Sequence, residues 1–435
     1  MLAAFVRWWE IGNRVPGLAL WSCLFILAFI LTLWLARGPD GLKDRNERVR
    51  IAGWCVLIVL AFLGHAAVDR VTIRGVIVHT VVFVKVLDTV VPFWILVRAL
   101  AVIWTGAARI IATTSLVPVL ALGGWVFVVS MPGHSFTGAL PPLSADEVAL
   151  RDQLKHDVER LAPRGPSERS HRFPVQLEDA ARYLDSSYAA AGYRVVSLPY
   201  LADSQRFRNL EVTIPGTSRA GDVVVIGAHY DAVEGAPGAD DNASGTAALL
   251  ALARSFAGRR FARTVRLVAF VNEEPPWFDG PDMGSRVYAA QASARGDHIV
   301  AMVSLETLGY FDSAAGTQRY PFPFNLVYPD RGTFLAFVGN LDSRSLVRSA
   351  IGSFRRVAQL PSEGAAAPAL FPGIGWSDHE SFWLHGVRAI MITDTGPFRN
   401  PHYHMSSDTP DRLDYGRMAR VVTGLRTVVE DLAGS

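Results

Sequence analysis

Asp222-Val-Val-Val-Ile-Gly-Ala-His229-Tyr-Asp231, followed after a short loop by Gly238-Ala-Asp240-Asp241-Asn242-Ala-Ser244-Gly245, is the stretch that decides how the chain is read. Its first half is a β-branched apolar run that reads as a buried strand, and an imidazole and a carboxylate stand where the run ends. Three further runs have the same character: Thr264 to Val271, Ile299 to Leu305 and Ala389 to Thr393. Between and before them, apolar residues recur at helical spacing over Val148 to Leu161, Leu177 to Ala191, Ala243 to Phe256 and Ser345 to Gln359. Strands alternating with helices predict an α/β fold, a mostly parallel mixed sheet sandwiched by helices.

Polar residues fall at one end of this predicted sheet. His229 follows the first strand, Glu273 and Glu274 follow the second, and Glu306 ends the third. Open α/β sheets bind ligands at the carboxyl ends of their strands. Taken singly, each residue has a blander account. A histidine at a strand end is usually a hydrogen-bonded surface residue, Asp240-Asp241-Asn242 suits a helix cap, and Glu273-Glu274 before Pro275-Pro276 suits a solvated pair. Convergence from three separate strands favours a metal site, because adjacent carboxylates ending an apolar strand are costly without a cation.

Six ordered motifs carry a resemblance. His229-Tyr-Asp231, Gly238 to Gly245, Asn272-Glu273-Glu274, Met283-Gly-Ser285, Leu305-Glu306-Thr-Leu-Gly309, and Asn400-Pro-His-Tyr-His404 with Asp408-Thr-Pro-Asp411 together resemble the M28 family of zinc aminopeptidases, over about Val148 to Leu432. The resemblance implies two zinc ions, one held by His229 and Glu306, the other by Glu274 and His404, with Asp241 bridging them. Asp240 competes for the bridge; the family ligand stands three residues before the Ser of a Ser-Gly pair, here Ser244, which selects Asp241. His402 competes with His404, and the family's Tyr-His-x-x-x-Asp-Thr pattern selects the latter. Family members more often carry Asp where this chain has Glu306, so a longer side chain must reach the same place.

The implied chemistry suits these residue types. Zinc takes nitrogen from His and oxygen from Asp or Glu, and catalytic sites keep a position for water. Glu273, beside a ligand but free of metal, is the expected general base. Asp231, two residues past His229, is expected to accept a hydrogen bond from that imidazole and fix its tautomer. Trp376-Ser-Asp378-His379-Glu-Ser-Phe382 also resembles a family segment near the substrate, so His379 and Asp378 are candidate substrate-binding residues. The alternative there is a helix start capped by Ser377 or Asp378.

The first 132 residues differ in kind. Mean hydropathy of the whole chain is above zero (+0.23), and the excess lies in uncharged runs at Leu18 to Ala36, Ile51 to Val68 and Ile110 to Met131. Each approaches the ~20 residues needed to cross a bilayer. Val76 to Trp104 is apolar but carries Lys85, Asp88 and Arg98, and is read as a fourth span. The expected organisation is an all-α transmembrane region over 1–132, a Pro- and Gly-rich linker over 133–147 and a peptidase domain over 148–435. Arg37, Lys43, Arg45, Arg48 and Arg50 place the first loop in the cytoplasm. Four spans then put the domain on the extracytoplasmic side of the cytoplasmic membrane; three would put it inside.

Cys23 and Cys55 are the only cysteines, so the domain forms no disulfide. A net charge of +2 without a basic cluster gives no nucleic-acid footprint. The expected partners are a peptide substrate and the lipid bilayer. Glutaminyl cyclases, dipeptidases and carboxypeptidases of similar fold are alternative activities, and a receptor-like protein without catalysis is the non-enzymatic one. Completeness of the five-residue ligand set argues against the last.

Overall fold

The structure is a computed structural model that describes residues 122–163 and 168–434. The expected spans before residue 122 lie outside the described residues. Among those described, no helix is long and apolar enough to cross a membrane.

Eight strands form one mixed sheet. In chain order they are β1 (Val196–Ala202), β2 (Gln205–Ile214), β3 (Gly216–His229), β4 (Phe261–Phe270), β5 (His298–Glu306), β6 (Leu335–Gly339), β7 (Ser362–Ala366) and β8 (Ala389–Thr393). Across the sheet the order is β1-β2-β4-β3-β5-β8-β6-β7. The four strands expected from sequence are its contiguous parallel centre, β4-β3-β5-β8. The outer strands were not anticipated: β1 and β2 add antiparallel on one side, and β6 joins β8 antiparallel on the other.

β3 shows why the centre is apolar throughout. Val224, Ile226 and Ala228 enter one core, while Val223 and Val225 enter a second on the opposite face. The first core is closed by α1 (Ala145–Leu161), α2 (Pro174–Ala190), α3 (Gly245–Phe256), α5 (Arg344–Val357) and α8 (Tyr415–Ala433). The second is closed by α4 (Gly284–Ala294) and the short α6 (His379–Trp383). Fully burying one such Val, Leu or Phe contributes about 1.5–3 kcal/mol, so both faces of the central strands hold the sheet between the helices.

Local signals set the ends of these helices. α1 begins earlier than its apolar spacing suggested, because Ser144 and Glu147 form a reciprocal capping box. Residues 130–144 have no regular structure, and the last three residues of the expected linker, 145–147, belong to α1. At the start of α3, a side chain on Gly245 would meet the Leu305 carbonyl at 2.5 Å, so glycine lets this helix approach β5 closely.

Candidate metal centre

Register puts the functional candidates level with one another. His229 pairs with Phe270, the last residue of β4, and Gly227 pairs with Ser304, two residues before the end of β5. His229, the Glu273-Glu274 pair and Glu306 therefore emerge at one edge of the sheet. Asp240 and Asp241 lie on the turn entering α3, and His404 comes from the loop after α7 (Gly396–Arg399).

Asp241 joins two groups of side chains. Its Oδ1 lies 3.2 Å from His229 Nε2, which is also 3.3 Å from Glu306 Oε2. Its Oδ2 lies 3.0 Å from His404 Nε2, which is 3.2 Å from Glu274 Oε2. In each trio, His229-Asp241-Glu306 and Asp241-Glu274-His404, the potential ligand atoms all lie within 4.8 Å of one another. The extra methylene of Glu306 is accommodated, and Ser377 Oγ donates to its Oε2 at 2.8 Å.

Metal ions fit these groups. His229 Nε2, Asp241 Oδ1 and His404 Nε2 are buried without hydrogen-bond partners, although carboxylate oxygens stand close by. Lone pairs converging without hydrogen-bond alignment are what coordination requires, and an imidazole–carboxylate donor set suits zinc. Electrostatics agree. Burial raises the pKa of Glu274 to about 7, with the Asp241 charge adding to it. Burial likewise pushes Glu306 up and Glu273 well above the usual carboxylate range. Burial alone would raise Asp241, but His229 and His404 hold it low. Burial pulls on His404 in the opposite sense to Asp241 and Glu274, which prevail and lift it to about 10. So many buried carboxylates around two imidazoles ask for cations.

Asp231 has a wider role than the sequence suggested. Its Oδ1 stands 3.5 Å from His229 Nδ1, and its two oxygens also accept the backbone N–H groups of Glu273 at 3.3 Å and Glu274 at 3.2 Å. One carboxylate thus holds the backbone of the Glu-Glu pair and stands beside the imidazole nitrogen turned away from Asp241. Glu273 Oε2 lies 3.8 Å from His229 Nε2 and belongs to neither trio.

The two aspartates of the turn separate by their partners. Asp240 accepts from Gly309 N at 2.9 Å and Asn400 Nδ2 at 2.8 Å, and so faces away from the histidines. Asp408 accepts the backbone N–H groups of both Asp240 and Asp241. His402 bonds Ser407 instead of joining a trio. His379 is fully buried, its Nε2 donating to the Ile374 carbonyl at 2.7 Å, and burial lowers it to about 4, so it stands neutral. The structure does not bring it into either trio. Asp378 is buried with neither oxygen hydrogen-bonded, and burial raises it to about 7.

Two residues had escaped the sequence. Arg169, 1 % exposed, donates to the carbonyls of Leu161, Tyr230, Pro237 and Gly238, pinning the loop between His229 and the aspartate turn. No periodicity marks it. Tyr403 stacks on His404 with ring centres 3.9 Å apart. Burial raises its hydroxyl well above the usual range, and Asp241, Glu274, Glu306 and Glu273 all add to that. Its place next to His404 in sequence was the available signal.

The family model for peptidase family M28 matches residues 209–429. The chain belongs to peptidase family M28. It is 36% identical over 319 residues to the uncharacterized protein YfbL of Escherichia coli, covering 70% of this chain and 96% of that one. It is also 24% identical over 327 residues to leucine aminopeptidase 1 of Trichophyton rubrum, covering 70% of this chain and 82% of the relative. Among solved structures, the LapA aminopeptidase of Legionella pneumophila superposes with a TM-score of 0.54 at 18% identity, over 72% of this chain and 80% of that one, a likeness of fold. Membership of M28 makes this chain a peptidase, and the two trios lie within the matched segment.

Proposed function

We propose that this chain is a membrane-anchored aminopeptidase with a co-catalytic pair of zinc ions. The observation that carries the reading is the double-faced Asp241, with one oxygen toward His229 and Glu306 and the other toward His404 and Glu274. These five residues would hold the metals. Zinc held there supplies Lewis acidity, polarising the scissile carbonyl and acidifying water.

The remaining steps belong to the chain. Glu273, whose buried carboxyl has a raised proton affinity, takes a proton from the attacking water and returns it to the leaving amine. Asp231 holds that glutamate's backbone and stands beside the His229 ring. The Tyr403 hydroxyl, in the field of the site carboxylates, donates to the oxygen on which negative charge develops. Asp378, in the field of His229 and Glu306, and His379, which follows it in the chain, remain the candidate substrate-binding residues.

Next to Glu306 and Tyr403 opens an apolar pocket walled by Tyr320, Phe324, Phe334, Met391 and Phe398, with a cavity volume of about 100 Å³. It suits a large apolar side chain at the cleaved residue, in keeping with the leucine aminopeptidases among the relatives. The uncharged runs of the first 132 residues support a membrane anchor, and the arginine-rich first loop supports an extracytoplasmic active site.

Metal content and hydrolysis of aminoacyl reporters by the purified full-length chain test the reading. Two zinc ions per chain are expected, with Glu273→Gln keeping both and losing about 10²–10⁴ in kcat. A Glu273→Gln chain as active as wild type refutes the mechanism. Metal-free, inactive preparations refute the enzyme reading.

A further inference from the structure

Residues 122–129 form a helix that, among the described residues, is packed on one side only. Trp125, Val128 and Val129 face inward against Phe324, Ala365 and Ile374, the Trp125 ring 5.1 Å from that of Phe324. Leu122, Val126 and Phe127 face outward, 63%, 51% and 49% exposed. A helix on a water-facing surface turns polar residues outward, and here the outward side has none. Beside it, segment 320–328 seats Phe324 in the same cluster while leaving Phe322, Leu326 and Val327 exposed at 75%, 68% and 48%. Six of the 14 large exposed apolar residues among the described residues gather in these two segments. Scattered ones need no explanation, but a contiguous patch marks an interaction surface.

The chain itself indicates the occupant. The helix is the end of the uncharged run Ile110 to Met131, so the patch belongs to an apolar run of about the length that crosses a bilayer. At the other end of the helix stand cations. The Arg344 guanidinium lies 3.8 Å over the Phe127 ring and donates to the Phe127 carbonyl, and Arg348 donates to the Ser130 carbonyl. An apolar face bordered by arginines matches the boundary between acyl chains and anionic headgroups.

We propose that the Leu122–Val126–Phe127 face and the Phe322–Leu326–Val327 loop dock together into the surface of the lipid bilayer. This rests on the membrane-anchored reading. The loop's inward residues, Tyr320, Phe324 and Tyr328, wall the apolar pocket next to Glu306, so lipid docking also braces the side of the pocket that selects substrate.

The test uses the full chain with Cys23→Ser and Cys55→Ser, and single cysteines introduced as Phe322→Cys, Leu326→Cys or, as a control, Ser204→Cys. Ser204 sits on the exposed β1–β2 turn, at the opposite edge of the sheet from β7. Each is labelled with an environment-sensitive fluorophore and reconstituted into phosphatidylethanolamine–phosphatidylglycerol vesicles with or without a lipid-tethered nitroxide at headgroup depth. The expected result is loss of emission at positions 322 and 326 and none at 204. Equal quenching at all three positions, in chain that stays with the vesicles through alkaline carbonate washing, overturns the docking and leaves the anchor standing. A blue shift at 322 and 326 without nitroxide quenching also overturns it, since protein then covers the patch: a second copy or residues 1–121. Chain that washes off the vesicles overturns anchor and docking together.

Discussion

Replacing Arg169 with methionine keeps much of the side chain's bulk and removes its donors. Four carbonyls, those of Leu161, Tyr230, Pro237 and Gly238, then lose partners at 2.6–2.9 Å. Hydrogen bonds to a charged group contribute about 1.5–3 kcal/mol each, and a buried carbonyl left unpaired costs a comparable amount. Water entering the gap recovers part, so a loss of at least about 4 kcal/mol is expected, a large share of the roughly 5–15 kcal/mol that holds a domain together. At about 2 °C per kcal/mol for a domain of this size, the melting temperature falls by roughly 8 °C or more. Arg169→Lys, with one nitrogen for four carbonyls, falls between. Melting followed by intrinsic fluorescence, with metal content measured alongside, checks both parts, since the freed loop carries Gly238 into the aspartate turn. At Gly238, with φ of +65°, a side chain would meet the Asp241 carbonyl at 2.3 Å, so the turn has little room to settle elsewhere. A shift under about 2 °C, with metal content unchanged, refutes the role assigned to Arg169.

Asp241→Asn should lower bound metal per chain, whereas Asp240→Asn, altering contacts to Gly309 and Asn400, should lower melting temperature more than metal content; elemental analysis of the two variants separates them. Tyr403→Phe should reduce kcat by about 10²–10³ with little change in KM, and unchanged kcat removes the hydroxyl from the mechanism. Chelated chain should lose stability as pH rises from about 4 to 7. Glu274, Asp378 and Asp408 are each raised by burial to about 7, so the folded state binds more protons than the unfolded one across that window and the slope is negative. Zinc should flatten that slope, and a denaturation series at several pH values, with and without chelator, reads it.

The parallel centre of the sheet was legible because its strands are buried on both faces and read as uninterrupted apolar runs. The edges were not. β7 is Ser-Glu-Gly-Ala-Ala, with no β-branched residue, and β1 carries Pro199 and mostly exposed side chains. Both are edge strands of the sheet, paired on one side only. In the site, the identities of the clustered residues were readable from motif order, but the roles of neighbours depended on contacts far apart in the chain. Asp240 and Asp241 differ by which way each side chain turns, and Gly309, Asn400 and Asp408 decide that. Arg169 bonds only backbone carbonyls, which leave no trace in residue type.

Asp408 takes both backbone N–H groups of the aspartate turn, 168 and 167 residues earlier in the chain. During synthesis, β3 and its histidine emerge long before that carboxylate. Until it arrives, the turn has no anchor for those two amides, and His404, four residues upstream of Asp408, is missing as well. A nascent or truncated chain therefore carries an incomplete site, and hydrolytic power is withheld until the last helix is about to form.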